Sequence, residues 1–213
     1  MTVSPHIVLV HGLARSRFDM MLLAPRLSAR FPNSQVHVFE YPSRRLTIQQ
    51  ASEKLGEFVH HTCKGGPVSF VGHSLGGIVV RALDASGRAT IPLARLVTLG
   101  SPHHGAVIAK QLSKFRAPRA IYGPVLHELG HLDLPEHPFQ LSVGCLIGAT
   151  NTRFGWFPVF GEDNDGVVCA REARLTGAFD HHSLVMLHAW FPFSARVAEL
   201  TARFLEHGKF SEQ

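Results

Sequence analysis

The stretch GHSLGG, residues 72–77, places a serine between glycines, after one apolar run and before the apolar run IVVRAL. A strand, a sharp turn and a helix in this order form the context in which G-x-S-x-G exposes a serine hydroxyl. A glycine-rich turn with an incidental serine is the alternative, and the flanking elements disfavour it. We therefore predict that Ser74 is a nucleophile, and a serine nucleophile indicates acyl transfer.

A second short motif, HGLARS at residues 11–16, follows the first predicted strand. A backbone N–H group just beyond His11 and Gly12 can face the nucleophile, and so can the N–H group of the residue after the serine. The motif alone is also compatible with a simple strand-to-helix turn. Together with the serine motif, it predicts an oxyanion hole formed by the N–H groups of Leu13 and Leu75.

The acidic partner should lie between the serine and the histidine, because Ser, acid, His is the chain order in this architecture. The stretch GEDNDGVV, residues 161–168, occupies that place. We predict Asp165 as the acid, since Gly166 permits a tight turn and a new apolar run begins directly after it. Glu162 and Asp163 are the alternatives.

Three histidines compete for the role of base in DHHSLVMLH, residues 180–188. We predict that Ser183 to Leu187 is the last strand. His181 and His182 then enter it at its amino end, roughly 17 Å from the chemistry. His188 leaves it at the carboxyl end, where loops carry reactive groups in such sheets. His188 is therefore the predicted base.

Other histidine motifs receive different interpretations. LGSPHHG, residues 99–105, carries His103 and His104, which we interpret as loop structure beside the site. HELGH, residues 127–131, matches a zinc-peptidase motif, with His137 at the spacing of a third ligand. Leu134 stands where that class needs a glycine for a sharp turn, and this disfavours a zinc peptidase. We predict no metal in the reaction.

The elements that must position these residues alternate along the chain, which is typical of a mostly parallel sheet flanked by helices. We predict strands at Ile7 to Val10, Val36 to Phe39, Val68 to Val71, Leu93 to Leu99, Leu141 to Ile147 and Ser183 to Leu187. We predict helices at Arg17 to Arg30, Ile48 to His61, Leu75 to Ser86, Val107 to Phe115 and Ala195 to His207.

Composition bounds the remaining possibilities. The chain has 213 residues, of which 45% are hydrophobic and 17% charged, and this predicts one globular domain spanning residues 1–213. The net charge of +5 comes from dispersed basic residues, which argues against a nucleic-acid partner. Cys63, Cys145 and Cys169 lack C-x-x-C spacing and favour a reducing compartment. Without a signal peptide or a span long enough for stable membrane insertion, we expect a soluble, cytoplasmic protein.

The blocks VLVHGLARS, YPSRR, VGHSLGG, LGSPHHG, GEDNDGVV and LHAWFPFS, with the ending FLEHGKF, resemble the small, minimal bacterial α/β-hydrolase serine esterases and lipases. This resemblance covers nearly the whole chain. It implies a single-domain α/β-hydrolase fold, a Ser74, Asp165 and His188 triad, a small-molecule acyl ester as substrate, and no cofactor. A non-catalytic binding protein of the same fold is the remaining alternative.

Two further parts of the chain bear on the substrate. Aromatic side chains adjoin the predicted site and are candidates for lining an acyl pocket, with core packing as the alternative role. They are Phe154, Trp156, Phe157, Phe160, Trp190 and Phe191. The segment 106–138 is long for a crossover between strands, and we interpret it as a crossover or a lid.

Overall fold

A six-stranded, all-parallel sheet forms the centre of the protein. The computed structural model describes residues 5–64, 66–135, 140–151 and 161–211, and the strand order within them is β2-β1-β3-β4-β5-β6. The strands are β1 (His6–Val10), β2 (Gln35–Phe39), β3 (Val68–His73), β4 (Leu93–Leu99), β5 (Ser142–Gly148) and β6 (Asp180–Leu184). The predicted α/β-hydrolase architecture is confirmed.

Helices cover both faces of this sheet. They are α1 (Leu23–Arg30), α2 (Ile48–Thr62), α3 (Leu75–Ser86), α4 (Val107–Leu112), α5 (Arg116–Tyr122), α6 (Val125–Gly130) and α7 (Ala195–His207), with 3-10 helices at Arg17–Met20 and His188–Phe193. Apolar residues of α2, α3, α4 and α6 form one buried core, and those of α1 and α7 form another. Along β1, Val8 faces the first core and Leu9 the second, because successive strand residues point to opposite faces.

Two predicted helices are shorter than expected, and proline explains the first of them. The predicted helix from Arg17 to Arg30 is a 3-10 turn followed by α1, and the one from Val107 to Phe115 ends at Leu112. Proline cannot donate a backbone hydrogen bond and is tolerated in the first turn of a helix. Pro25 is the third residue of α1, so this helix starts just before it, whereas Pro118 is the third residue of α5 and lies beyond the predicted helix.

The last strand lies three residues earlier than predicted. It spans Asp180–Leu184 and pairs only with β5, whose last residue Gly148 lies opposite Leu184. The ladder ends where β5 ends, and Val185 beyond it is 75% exposed. The other strand limits agree with the prediction to within two residues.

The crossover between β4 and β5 contains α4, α5 and α6. Ala109 of α4 and Leu126 of α6 are buried in the first core, whereas α5 has no buried residue. At Gly123, which joins α5 to α6, φ is +76° and a β-carbon would lie 1.7 Å from the Arg44 carbonyl oxygen. The crossover is therefore fixed at both ends of α5. Among the described residues, no helix has the length and apolar character needed to cross a lipid bilayer.

Candidate active site

Ser74 lies in a strained turn between β3 and α3. Its φ of 54° and ψ of −122° are rarely adopted by residues with a side chain. Glycine is required beside it, since a β-carbon on Gly76 would lie 2.2 Å from the Val10 carbonyl oxygen. Ser74 is partly exposed, whereas its neighbours His73 and Leu75 are buried. The turn thus presents the serine at the carboxyl edge of the sheet.

Asp165 and His188 form a buried pair at the same edge. The Nδ1 atom of His188 lies 2.7 Å from Oδ2 of Asp165, and the two residues are 7% and 1% exposed. The other carboxylate oxygen, Oδ1, accepts hydrogen bonds from the N–H groups of Val167 and Val168. Because a carboxylate accepts, Nδ1 of His188 donates, and its Nε2 atom is left with a lone pair.

A backbone hydrogen bond also joins His188 and Asp165. The N–H group of His188 donates to the Asp165 carbonyl oxygen at 2.9 Å. A β-carbon on Gly100, where φ is +59°, would lie 3.0 Å from Asp165 Oδ2 and 3.2 Å from His188 Nδ1. The end of β4 therefore packs directly against the hydrogen bond and helps to exclude water from it.

The two alternative acids lie elsewhere. Glu162 is hydrogen-bonded to Arg171. Asp163 accepts the N–H groups of Asn151 and Asn164 through Oδ1. The structure brings only Asp165, of these three candidates, into hydrogen-bond distance of His188.

His181 and His182 are strand residues, not strand entrances, because β6 begins earlier than predicted. His181 pairs with Cys145 in the ladder, and its Nε2 atom lies 3.1 Å from the Leu175 carbonyl oxygen. The ring of His182 packs against Phe210. His188 starts the 3-10 helix beyond the carboxyl end of the strand. His181 and His182 thus lie within β6, and His188 lies beyond its carboxyl end, as the sequence argument requires.

His73 was missed by the sequence argument. It precedes Ser74, is completely enclosed, and its Nε2 atom lies 3.0 Å from the carbonyl oxygen of His188. A carbonyl oxygen only accepts, so Nε2 of His73 carries the hydrogen. Burial, reinforced by the nearby His188, holds the pKa of His73 well below its usual value. A neutral His73 therefore connects the turn at Ser74 to the backbone of His188. Its place inside GHSLGG was the available signal.

The predicted oxyanion loop lies beside the serine. A β-carbon on Gly12 would lie 3.1 Å from Cβ of Ser74, which places the backbone leading to Leu13 against Ser74. Leu75 is the first residue of α3, where helical N–H groups lack partners within the helix. The Tyr41 hydroxyl donates a hydrogen bond to the His11 carbonyl oxygen at 3.0 Å and stabilises this loop. The sequence argument did not use Tyr41.

The predicted aromatic lining divides into three groups. Trp190 is 60% exposed on the 3-10 helix that begins with His188. Phe191 is completely buried in the second core, which matches the alternative role of core packing for this residue. Trp156 and Phe157, with Phe154 and Phe160, fall outside the described residues.

The residues of the alternative zinc motif have structural contacts within the fold. Helix α6 ends at Gly130, so His131 lies beyond it, and Oε2 of Glu128 accepts the N–H group of Ile48 at the start of α2. A zinc peptidase needs this glutamate as a free base. His137 is outside the described residues. His103 is buried and contacts Thr98 and Arg81 through its ring nitrogens, consistent with a structural role.

A comparison with protein families gives a match over more than half of the chain. A family model described as "Putative serine esterase (DUF676)" matches residues 4–126. No curated protein sequence matches the chain.

Solved structures resemble the fold. The Bacillus licheniformis lipase BlEst2 is 23% identical, with a TM-score of 0.70 for the propeptide form and 0.69 for the mature form. The chain is covered to 87% and 89%, and spans 46% and 86% of the respective BlEst2 chains. A monoacylglycerol lipase from Paleococcus ferrophilus is 14% identical, with a TM-score of 0.64 and coverage of 94% and 93% of the two chains. At these identities the likeness establishes the fold.

Proposed function

Because the chain belongs to the DUF676 family of serine esterases and is a carboxylic ester hydrolase, we propose that Ser74, His188 and Asp165 are its catalytic triad. Nε2 of His188 takes the proton of Ser74 as Oγ attacks the acyl carbon. Asp165 keeps the imidazole in the tautomer that leaves this nitrogen free. The single observation that carries the proposal is the buried 2.7 Å contact between Asp165 and His188 at the edge where Ser74 emerges.

The remaining steps follow from the same groups. The N–H groups of Leu13 and Leu75 stabilise the negative charge on the former carbonyl oxygen of the ester. His188 then returns its proton to the departing alcohol, and Ser74 retains the acyl group. Water, deprotonated by His188, attacks this acyl-enzyme and releases the carboxylic acid. Every step uses groups of the chain and water.

A labelling experiment tests the nucleophile. We expect Ser74→Ala to abolish both hydrolysis of nitrophenyl esters and labelling by a fluorophosphonate. Ser86→Ala is the matched control, because Ser86 ends the same helix and bonds locally, to the Leu83 carbonyl oxygen and the Arg88 N–H group. Labelling that persists in Ser74→Ala would place the nucleophile elsewhere and overturn the proposal.

We propose a substrate with an apolar acyl group. Large apolar side chains are exposed on the two 3-10 helices that pack together beside the site, including Phe18 at 68% and Trp190 at 60%. Exposed apolar surface of this kind marks places where apolar ligands bind. Trp190→Ala should lower kcat/KM for long-chain nitrophenyl esters more than for the acetate. An equal loss for all chain lengths would remove Trp190 from the substrate site.

We also propose that residues 1–213 form one domain in which α5 is the adaptable part of segment 106–138. The absence of buried residues in α5, between the anchored α4 and α6, supports this choice. Replacing residues 116–122 by a short glycine-serine linker should alter acyl-length preference and leave fluorophosphonate labelling of Ser74 intact. Loss of folding would identify α5 as part of the core crossover instead.

A further inference from the structure

A second cluster of reactive side chains lies at the opposite edge of the sheet. His6, His37 and Cys63 each offer one potential ligand atom, and these atoms all lie within 4.8 Å of one another. We propose that these three side chains bind one zinc ion, with water completing a tetrahedral site. The ion would be structural, and the proposal does not depend on the proposed esterase mechanism.

The fold assembles this cluster from three separate elements. His6 is the first residue of β1, and His37 lies on the neighbouring strand β2, opposite Val8 in the ladder. Cys63 ends α2, where its N–H group donates to the Val59 carbonyl oxygen. A bound ion would therefore join two strands and a helix where α2 returns towards β3.

The geometry of the two imidazoles suits a shared ion. Nδ1 of His6 lies 3.2 Å from Nε2 of His37. Two nitrogen ligands on one tetrahedral zinc ion lie about 3.3 Å apart, given Zn–N bonds of about 2.0 to 2.1 Å. A thiolate is also a preferred zinc ligand, and two imidazoles with one thiolate match zinc better than calcium or magnesium.

A backbone oxygen fixes the tautomer of His6. Its Nε2 atom lies 2.8 Å from the Lys64 carbonyl oxygen, so Nε2 carries the hydrogen and Nδ1 keeps its lone pair towards His37. Zinc-binding histidines usually donate their second ring N–H to such an oxygen. A hydrogen bond between the imidazoles explains the 3.2 Å distance as well, but it assigns no role to the adjacent Cys63.

The chemistry of Cys63 sets the pH dependence of binding. Burial raises the pKa of its thiol to about 11. Zinc must displace this proton: the S–H bond breaks, the Zn–S bond forms, and the proton goes to solvent. Affinity should therefore rise about tenfold per pH unit between pH 7 and 9, because each bound zinc ion displaces one thiol proton.

Cobalt substitution tests the site with a spectroscopic signal. The EDTA-treated protein at pH 8 should bind one Co²⁺ per chain, with a thiolate-to-cobalt charge-transfer band that zinc abolishes. Cys63→Ala should lose this band, and His37→Gln, at a half-buried position, should weaken binding at least tenfold. The double variant His127→Ala, His131→Ala is the matched control, since it removes another stacked pair of histidines; it should bind cobalt like the wild-type protein.

Thermal unfolding provides an independent readout. Zinc at about a hundredfold excess over its Kd should raise the Tm of the wild-type protein by about 5 to 10 °C. His37→Gln should show a smaller rise at the same zinc concentration, because weaker binding gives less stabilisation, and ester hydrolysis per folded molecule should be unchanged with zinc or EDTA. The proposal is overturned if the wild-type protein gives no thiolate band, if Cys63→Ala retains it, or if only the His127 and His131 variant loses metal.

Discussion

The carboxyl and amino edges of the sheet differ in the backbone conformations of the residues that lie there. At the carboxyl edge, Ala14, Ser74 and Asn151 follow β1, β3 and β5, and they are the residues other than glycine with positive φ among those described. At the amino edge, His6 and His37 lie within regular strands, and Cys63 ends a regular helix. Backbone strain of this kind concentrates at functional sites.

This difference explains why one edge is recognisable in the sequence and the other is not. Strained turns need particular residues, so the carboxyl edge leaves the marks G-x-S-x-G and H-G in the chain. Regular strands accept almost any side chain. The cluster of His6, His37 and Cys63 is created by strand register and helix length, which no short motif records.

The strongest test of this comparison replaces His188, which lies beyond the last strand, and His181, which lies within it, one at a time. We expect His188→Ala to lower kcat for nitrophenyl esters by roughly 10⁴ or more, because Ser74 loses its base. His181→Ala should change kcat only a few-fold and cost on the order of 1 kcal/mol of stability, since His181 bonds to the backbone of Leu175. A dead His181→Ala enzyme with an active His188→Ala enzyme would overturn the assignment.

The acid should show the same dependence on its partner. Asp165→Asn should lower kcat by about 10⁴, because an amide can stabilise the wrong imidazole tautomer. Introducing Asp165→Asn into His188→Ala should cost little more, since residues that act as one unit are not additive. Asp163→Asn is the control, because Asp163 bonds the backbone of its own loop. Full additivity in the double variant would show that Asp165 acts independently of His188.

Much of the carboxyl edge could be predicted because local chemistry determines it. The apolar runs gave the strands to within two residues, except for β6, and α3 and α7 match their predicted limits. The limits of β6 depend on where its single neighbour β5 ends, which is tertiary information. The shortened first helix was a different error, because Pro25 was visible in the sequence and was not weighed.

Contacts across the fold could not be predicted. The hydrogen bond from His73 to the His188 carbonyl oxygen joins residues 115 positions apart. The bond from Tyr41 to the His11 carbonyl oxygen depends on the register of β1 and β2. A pattern in sequence can identify the group that reacts, whereas the groups that position it emerge from packing.

A smaller effect is expected at His73, which would position His188 without touching the substrate. His73→Ala should lower kcat about fivefold with little change in KM, because one hydrogen bond contributes about 1 kcal/mol. His73→Gln should recover most of the activity, since its side-chain amide can donate to the same carbonyl oxygen. Equal losses in both variants, or a loss confined to KM, would show that His73 serves only to fill space.

The smallest effect concerns the loss of stability at acid pH. We expect this loss to arise mainly at the carboxyl edge. Burial holds the pKa values of His73 and His103 well below the ordinary value, so both are neutral when folded and accept protons when unfolded. Their stabilising contribution is present above about pH 6.5 and is lost as the pH falls from there towards the folded pKa. Each should cost up to about 1.4 kcal/mol per pH unit in that range.

Urea unfolding at pH 7.5 and 5.5, with EDTA present, measures this loss. His103→Gln should lose less stability than the wild-type protein between the two pH values, because one titrating group has been removed. Burial raises the pKa values of Glu172 and Asp84, so these two groups favour the folded state as the pH falls. Their effect is the same in the wild-type and His103→Gln proteins and cancels when the two are compared. His37→Gln should reduce the loss less, since His37 is only half-buried and its pKa is lowered by weaker burial and by His6. If His37→Gln flattens the pH dependence more than His103→Gln does, acid sensitivity lies at the amino edge instead.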